Sequence, residues 1–449
     1  MRTDRKLAVR VVAGVAIVAA LAATAAVFAG ASQGGVAGAK KTMVVNKKVS
    51  GKVTFDGIWT AAEQSAFEKV IKGFSKQYPK VKVHYNPVGD NLPTVLATAV
   101  AAGHPPDMAD IAQPGLIKQF AQQHKLKPIT YAKKTVQKNF GPAWVKLGSV
   151  GKKLYAVVYK AANKSTLWYN VPDFKQAGIK SGPKTWSQLL KDATLLKNSG
   201  IPAWSLCGAS GWTLTDLFEN IYLRTYGPAK YDALTAHKIK WTDKSVTKAM
   251  TEMKQIIGDS SNLAGGRSGA VQTDYPTCVD DAFGTPSKGA MVPESDFVGG
   301  AILQDTKSKP GSGFNAVPFP TITNNKADSS AVEIGGDLMV AFKDTPAIRA
   351  FVTYLASAKA AKIWAHIGGF GTGNKGVAPS VYPDKITRAT ESPIGKAKSV
   401  VFDMSDEQKA AFGSTAGQGE WGLFQKFLEN PSDIKSIQQQ LEAAWKAAQ

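Results

Sequence analysis

Residues 53–123 alternate apolar runs with amphipathic segments, and this alternation constrains the fold more than any other feature of the chain. Residues 53–59 and 108–112 are apolar enough to be buried strands, and apolar and polar side chains alternate over residues 81–85. The segments between and after them have apolar residues at helical spacing. These are Phe67, Val70, Ile71, Phe74 and Tyr78, then residues 94–102 and 116–123. This order predicts an α/β fold in which helices cover a parallel sheet.

Two later segments break the alternation of strands and helices. Residues 150–170 contain two apolar runs around a polar stretch, and residues 314–320 form an apolar run that ends at prolines. We interpret both as crossings between two lobes. Residues 332–342 are interpreted as two strands joined by a turn at Gly335 and Gly336.

The N-terminus predicts export. Four basic residues precede or enter an apolar run, which ends in a small-x-small pattern at residues 29–31 that suits a signal peptidase. We expect residues 1–31 to be a signal peptide and residues 32–51 a linker. The alternative is an uncleaved N-terminal anchor, because the run is long enough to cross a bilayer.

The formal net charge is +21, spread along the chain. Export and the lack of a basic-aromatic motif argue against nucleic acid as a partner. An anionic envelope polymer would attract a positive exported protein, so a binding or adhesion module for such a polymer is one alternative function. Five scattered histidines and the lack of paired cysteine or histidine spacing predict no metal site, and we expect no cofactor.

The chain has two cysteines, Cys207 and Cys278. An even cysteine count in an exported protein favours a disulfide, here closing a loop of about 70 residues. Two free buried thiols are the alternative.

A series of short motifs occurs in a fairly specific order and spacing. They are the helix pattern of residues 67–78, the strand pattern 81–85, residues 106–115, 167–170, 183–186 and 211–219, and Gly335-Gly336-Asp337 before residues 345–347. With these motifs the chain resembles the extracellular solute-binding proteins of bacterial ABC importers. It is most similar to the sugar-binding family 1 and, within it, to the α-glucoside-type group.

The resemblance implies two lobes, each a mostly parallel sheet covered by helices, joined by crossover hinge strands. It also implies a disulfide between Cys207 and Cys278. We expect a monomer that captures a sugar or oligosaccharide in the interlobe cleft, closes by a hinge motion and delivers the ligand to a membrane permease. The expected lobes are residues 52–161 with 317–367, and residues 162–316 with 368–449.

A sugar presents apolar C–H faces and a rim of hydroxyls, so its site needs flat aromatic rings and hydrogen-bonding side chains. Tryptophans bordered by turn residues, and polar groups that follow predicted strands or lie in loops, meet this need. For each of them a core, capping or solvated role is the alternative. The expected ligand-binding residues are Trp59, Glu63, Gln113, Trp212, Asp216, Glu294, Asp296, Gly336, Asp337 and Trp421.

A secreted carbohydrate-active enzyme is the second alternative function, because two carboxylates are enough to hydrolyse a glycosidic bond. However, the sequence has no serine-nucleophile elbow, phosphate-binding loop or zinc-protease motif. A nucleophilic Cys207 is not expected either, since Cys278 is its expected disulfide partner. We therefore expect no catalytic residues.

Overall fold

The structure is a computed structural model that describes residues 46–323, 331–395 and 399–449. The expected signal peptide and most of the expected linker lie outside the described residues. In the part of the chain that is described, no helix has the length and apolar character needed to cross a membrane.

The strands belong to a large sheet, a small sheet and a two-stranded ribbon. They are β1 (Gly51–Gly57), β2 (Val81–Pro87), β3 (Met108–Ile111), β4 (Ser149–Val150), β5 (Lys153–Leu154), β6 (Ala156–Asn163), β7 (Thr166–Asn170), β8 (Met291–Val292), β9 (Phe314–Pro318), β10 (Val332–Ala341) and β11 (Val400–Phe402).

Helices cover both main sheets. The helices of the first half are α1 (Ala61–Ser75), α2 (Leu92–Ala101), α3 (Pro114–Gln122), α4 (Lys133–Asn139), α5 (Pro142–Leu147), α6 (Val171–Gln176), α7 (Trp186–Asn198) and α8 (Trp212–Thr235). Those of the second half are α9 (Lys244–Ile257), α10 (Gly266–Gln272), α11 (Tyr275–Phe283), α12 (Val298–Asp305), α13 (Pro346–Leu355), α14 (Ala358–Ala365), α15 (Lys385–Glu391), α16 (Met404–Glu407), α17 (Ala410–Gly413), α18 (Gly419–Glu429) and α19 (Ile434–Ala447).

The large sheet contains the parallel strands expected from residues 53–123. β1 lies between β2 and β3 and is parallel to both. β10 runs antiparallel to β3 and β6 and parallel to β11. Val53 and Phe55 of β1 point into a core that includes the apolar face of α1, because alternate strand residues share one face of the sheet.

The small sheet places β7 between β8 and β9, antiparallel to both. A mostly parallel sheet was expected here, so the direction of these strands differs from the prediction. The physical reason is that a short apolar run shows that a strand is buried but not which way it runs. A separate core packs beside this sheet, with α7, α8, α9 and α18 contributing most of its apolar side chains.

The chain crosses between the two main sheets twice. β6 of the large sheet leads through Lys164 and Ser165 into β7 of the small sheet, and β9 of the small sheet precedes β10 of the large one. The predicted two-lobed α/β fold with crossover strands is therefore confirmed. The lobe boundaries stay a prediction, and β11, from the range assigned to the second lobe, pairs with β10.

The glycine pair in β10 has a different role from the expected turn. β10 is one continuous strand, and a Cβ atom added to Gly335 would lie 2.6 Å from Cε of Lys164. A Cβ atom on Gly336 would lie 3.1 Å from the carbonyl oxygen of Lys160. The two glycines therefore let β6 and the Lys164 side chain approach β10 closely.

The expected disulfide is present. It joins Cys207, which precedes α8, to Cys278 in α11, and both cysteines are buried. The bridge links two segments 71 residues apart in the sequence.

Reducing this disulfide should destabilise the protein. In the chain-entropy account, closing a loop of this length stabilises the folded state by about 4 kcal/mol. Denaturant unfolding with and without dithiothreitol measures the difference. The Cys207→Ser, Cys278→Ser double variant is the matched control, since it should be as unstable as the reduced protein and insensitive to the reductant. Equal stability of the oxidised and reduced protein would contradict the expectation.

Candidate ligand-binding cavity

A cavity of about 220 Å³ lies where the two main sheets meet. Its large-sheet side comes from the ends of β1 and β3, from β6 and β10, and from the segment before α2. Its other side comes from the starts of α8 and α11, the residue before α12, and α16 and α18. Its wall residues are Ile58, Trp59, Thr60, Glu63, Gly89, Asp90, Pro93, Ala112, Gln113, Lys160, Ala162, Lys164, Trp212, Asp274, Tyr275, Pro276, Phe297, Gly336, Asp337, Asp406 and Trp421.

Most of the expected binding residues line this cavity. The seven that do so are Trp59, Glu63, Gln113, Trp212, Gly336, Asp337 and Trp421. The remaining three, Asp216, Glu294 and Asp296, are fully buried behind the wall. The structure therefore brings together residues far apart in the sequence, but divides the expected carboxylates between the surface of the cavity and a layer behind it.

Trp212 is the first residue of α8 and is half-buried. The residue before this helix is Gly211, with a φ of 86°. A side chain at Gly211 would collide with the backbone of Trp421, so glycine brings α8 and α18 together. The indole Nε1 of Trp212 donates to Asp90 at 3.2 Å, across the cavity.

The other two candidate tryptophans are more buried. Trp59 is fully buried against Phe67 and Trp364, and its Nε1 donates to Asp337 at 2.9 Å. Nε1 of Trp421 donates to the Ser405 hydroxyl at 3.3 Å. Trp59 is thus a core residue with one edge at the cavity, whereas Trp212 offers more ring surface to a ligand.

Lys160 of β6 forms an ion-pair group in the cavity wall. Its Nζ lies 2.6 Å from Glu63, 3.5 Å from Asp337 and 4.5 Å from the centre of the Phe297 ring. Burial alone would lower the pKa of Lys160, but the two carboxylates raise it above its usual range. The lysine is therefore charged, and its charge is compensated by the protein.

Lys164 forms a second group at the crossing between the sheets. Its ammonium lies 2.9 Å from Asp216 and closer still to Asp403, and 5.5 Å from the centre of the Trp212 ring. Against the effect of burial, these carboxylates raise the pKa of Lys164 well above its usual value. Burial favours a raised pKa for Asp403, but Lys164 and hydrogen bonds bring it below the usual value.

Further buried carboxylates lie close to Lys164 or to its partner Asp403. Burial raises the pKa of Glu294 to about 7, and raises those of Glu333 and Glu420 well above the usual range. Ligand atoms of Asp216, Glu333 and Asp403 lie within 4.8 Å of one another, as a metal site requires. However, the Lys164 ammonium contacts Asp216 and Asp403 and already supplies positive charge to this group.

Sequence reasoning missed several residues of the wall. They are Asp90, Lys160, Lys164, Asp274, Tyr275, Phe297 and Asp406. Asp90 accepts hydrogen bonds from Ser210 and Trp212, and Asp406 accepts one from Gln113 at 3.0 Å. The position of the lysines in and beside an apolar strand could have identified them. A charged residue there is rarely buried without a partner.

The fold and this cavity define a two-lobed binding protein. The profile of the Bacterial extracellular solute-binding protein family matches residues 57–362, about two thirds of the chain. The chain belongs to this family, whose members are extracellular solute receptors of ABC importers.

Two curated relatives cover most of the chain. The Osmoprotective compounds-binding protein GgtB of Synechocystis sp. is 29% identical over 81% of this chain and 86% of its own length. The Alpha-glucosides-binding periplasmic protein AglE of Rhizobium meliloti is 28% identical over 81% of each.

Solved structures of solute receptors have the same fold. The bacterial solute receptor AcbH, described as exclusively preferring β-D-galactopyranose, matches 89% of this chain and 99% of its own with a TM-score of 0.76 and 18% identity. The solute-binding protein RafE in complex with raffinose matches 89% of this chain and 100% of its own, with a TM-score of 0.71 and 18% identity.

The buried carboxyls predict that stability falls with rising pH. Burial raises the pKa of Asp296 from 3.8 to about 8 and that of Glu294 from 4.5 to about 7. Between each pair of values the folded state binds more protons than the unfolded state, so the free energy of unfolding falls as pH rises. We expect the thermal midpoint, measured by calorimetry, to decrease between about pH 5 and pH 8.

The Asp296→Asn variant tests the cause of this decrease. Asparagine keeps an acceptor for the backbone N–H of Asn163, which donates to Asp296 at 3.0 Å, but does not titrate. The variant should flatten the decrease, whereas Glu429→Gln, at an exposed position, should leave its slope unchanged. A thermal midpoint that rises over this pH range would contradict the prediction.

Proposed function

We propose that this protein is the exported sugar-binding component of an ABC importer, with the cavity between its lobes as the ligand site. The observation that carries the proposal is the composition of the wall, in which three tryptophans stand beside five carboxylates. Aromatic rings cover the apolar faces of a sugar, and carboxylates accept hydrogen bonds from its hydroxyls.

We infer a small α-glucoside-like ligand. A cavity of about 220 Å³ is smaller than the roughly 300–1,000 Å³ of typical drug-sized sites, which favours one or two sugar rings over a long oligosaccharide. AglE, with 28% identity over 81% of this chain, supports the α-glucoside class. The ligand-binding residues in this proposal are the seven predicted residues in the wall, with Asp216, Glu294 and Asp296 supporting them from behind.

We propose that ligand capture uses closure of the lobes. Side-chain contacts already join opposite sides of the cavity, from Ser210 and Trp212 to Asp90 and from Gln113 to Asp406. The crossing through Lys164 and Ser165 is the natural hinge, because it connects the two sheets. Opening would separate these contacts and admit the ligand, and the closed form would be the one a permease receives.

The proposal assigns this chain no chemistry. Two carboxylates of the wall, Glu63 and Asp337, are held by Lys160 and Trp59. This arrangement suits positioning of hydroxyls. In the same proposal, the protein acts as a monomer outside the membrane, released by signal-peptide cleavage or held by its uncleaved N-terminal segment.

Binding of a sugar should stabilise the protein. A ligand that binds only the folded state raises its stability by mass action, by about 2.7 kcal/mol at one hundred times the dissociation constant. A melt monitored by tryptophan fluorescence against glucose, galactose, maltose, trehalose, sucrose and raffinose would show which sugar binds. Incubation of the same sugars with the protein, followed by chromatography, should show no product. Unchanged midpoints across the whole panel would refute the proposed function.

Trp212 should provide stacking energy. Replacing it by alanine removes ring surface from the wall and should weaken binding of the sugar found in that panel by about 1–3 kcal/mol. Titration calorimetry measures the loss. The matched control is Trp445→Ala, since this half-buried tryptophan lies outside the cavity wall and stacks on His237. Equal affinities of the Trp212→Ala variant and the native protein would remove Trp212 from the site.

A further inference from the structure

Most hydrogen-bond donors of the cavity wall are already engaged by the protein. The indole N–H groups of Trp59, Trp212 and Trp421 each donate to a protein oxygen. The Gln113 amide donates to Asp406, and each lysine ammonium donates to at least one carboxylate. The exceptions are the hydroxyls of Thr60 and Tyr275, which have no hydrogen-bond partner among the described residues and carry no charge.

The acceptors of the wall are in excess. The five wall carboxylates are Glu63, Asp90, Asp274, Asp337 and Asp406. In each of them only one oxygen accepts a hydrogen bond from the described residues. The side-chain oxygen of Gln113 is also buried and lacks a partner there. A ligand that fits this wall must therefore be rich in donors.

The wall also carries an excess of negative charge. The wall has two lysines and five carboxylates. Lys160 pairs with two carboxylates of the wall, Glu63 and Asp337. Lys164 pairs with two carboxylates behind the wall, Asp216 and Asp403. Asp90, Asp274 and Asp406 form no ion pair within the described ranges. Burial raises the pKa of Asp406 well above its usual value, so Asp90 and Asp274 supply the uncompensated negative charge. The cavity is therefore a site of negative potential in a chain whose net charge is +21.

We propose that the cavity selects its ligand by charge and binds an ammonium-bearing saccharide, an amino sugar, in preference to the neutral sugar of the same shape. This inference rests on the proposed function and names its substrate class. An ammonium group supplies three donors for the unpaired oxygens of Asp90, Asp274 and Asp406, and one positive charge to compensate the carboxylates of Asp90 and Asp274. An acidic sugar adds acceptors and negative charge, so the cavity rejects it.

Matched sugars test the charge selection. The probes are D-glucose, D-glucosamine, 6-amino-6-deoxy-D-glucose, N-acetyl-D-glucosamine and D-glucuronate, with trehalose and 2-amino-2-deoxytrehalose as a disaccharide pair. N-acetylation keeps the substituent but removes its charge. Titration calorimetry at pH 7 and low salt should show at least one amine binding about tenfold more tightly than its neutral parent. D-glucuronate should bind most weakly, and rising salt should narrow the differences.

The possible results distinguish a failure of the charge selection from a failure of the proposed function. If a neutral sugar binds as tightly as, or more tightly than, every amine of the same skeleton, the charge selection is wrong and the proposed function stands. If none of these saccharides and no sugar of the earlier panel binds, both fail. A preference for D-glucuronate over D-glucose would overturn the charge selection directly.

Asp90→Asn tests which group recognises the charge. Asparagine keeps an acceptor for the Ser210 hydroxyl and the Trp212 indole but removes the negative charge, so the ratio of amine to neutral affinity should fall several-fold. Asp274→Asn is the second variant, because asparagine still caps α11 at this exposed position. Glu429→Gln makes the same charge change at an exposed site outside the cavity wall and should leave the ratio unchanged. Unchanged ratios in both aspartate variants would overturn the inference.

Discussion

The buried ammonium of Lys164 is the interaction on which the arrangement of lobes and cavity depends. Burying a carboxylate without a counterion costs several kcal/mol, and Lys164 compensates Asp216 of α8 and Asp403 before α16 together. The lysine itself follows β6, at the point where the chain leaves the large sheet for the small one. One charge thereby joins the crossing, the helix that begins at Trp212 and the helix that carries Asp406. A change at any of these segments alters the electrostatic balance of the others.

The distribution of charge gives two surfaces of opposite character. The chain as a whole is strongly positive, whereas the cavity wall contains more carboxylates than lysines. In these proposals, long-range attraction to an anionic envelope would follow from the net charge, while the choice of ligand would follow from the local field of the wall. Adhesion to an acidic polymer would therefore use the exterior of the protein and leave the cavity free. The same separation would let the protein stay near a negative cell surface and still exclude acidic saccharides from its cleft.

Much of the fold could be predicted because burial leaves a periodic pattern. The apolar positions of α1 and the alternation in β2 identify these elements from local sequence alone. The direction of β7 to β9 and the continuity of β10 could not be predicted in the same way. Gly335 and Gly336 favour a turn by local preference, but here they leave space for the side chain of Lys164 and the backbone of Lys160. That role depends on a neighbouring strand about 170 residues away, which no local pattern contains.

In the candidate site, too, residues with a local sequence signal could be predicted, whereas those that depend on distant partners could not. Trp212, with turn residues beside it, was predicted to face a ligand and lies in the wall, whereas Trp59, predicted from the same signal, is a core residue with one edge at the cavity. The partners of the buried carboxylates were not predictable, because Lys164 meets Asp216 and Asp403 across 52 and 239 residues of sequence. Asp216 was identified as a polar group near the right place, yet its carboxylate compensates Lys164 behind the wall. The sequence thus shows which residue types a sugar site would use, but three-dimensional ion pairing decides which carboxylates are left for a ligand. By that criterion Asp90, Asp274 and Asp406, which sequence reasoning missed, are the stronger candidates for specificity, since no lysine or arginine of the described chain pairs with them.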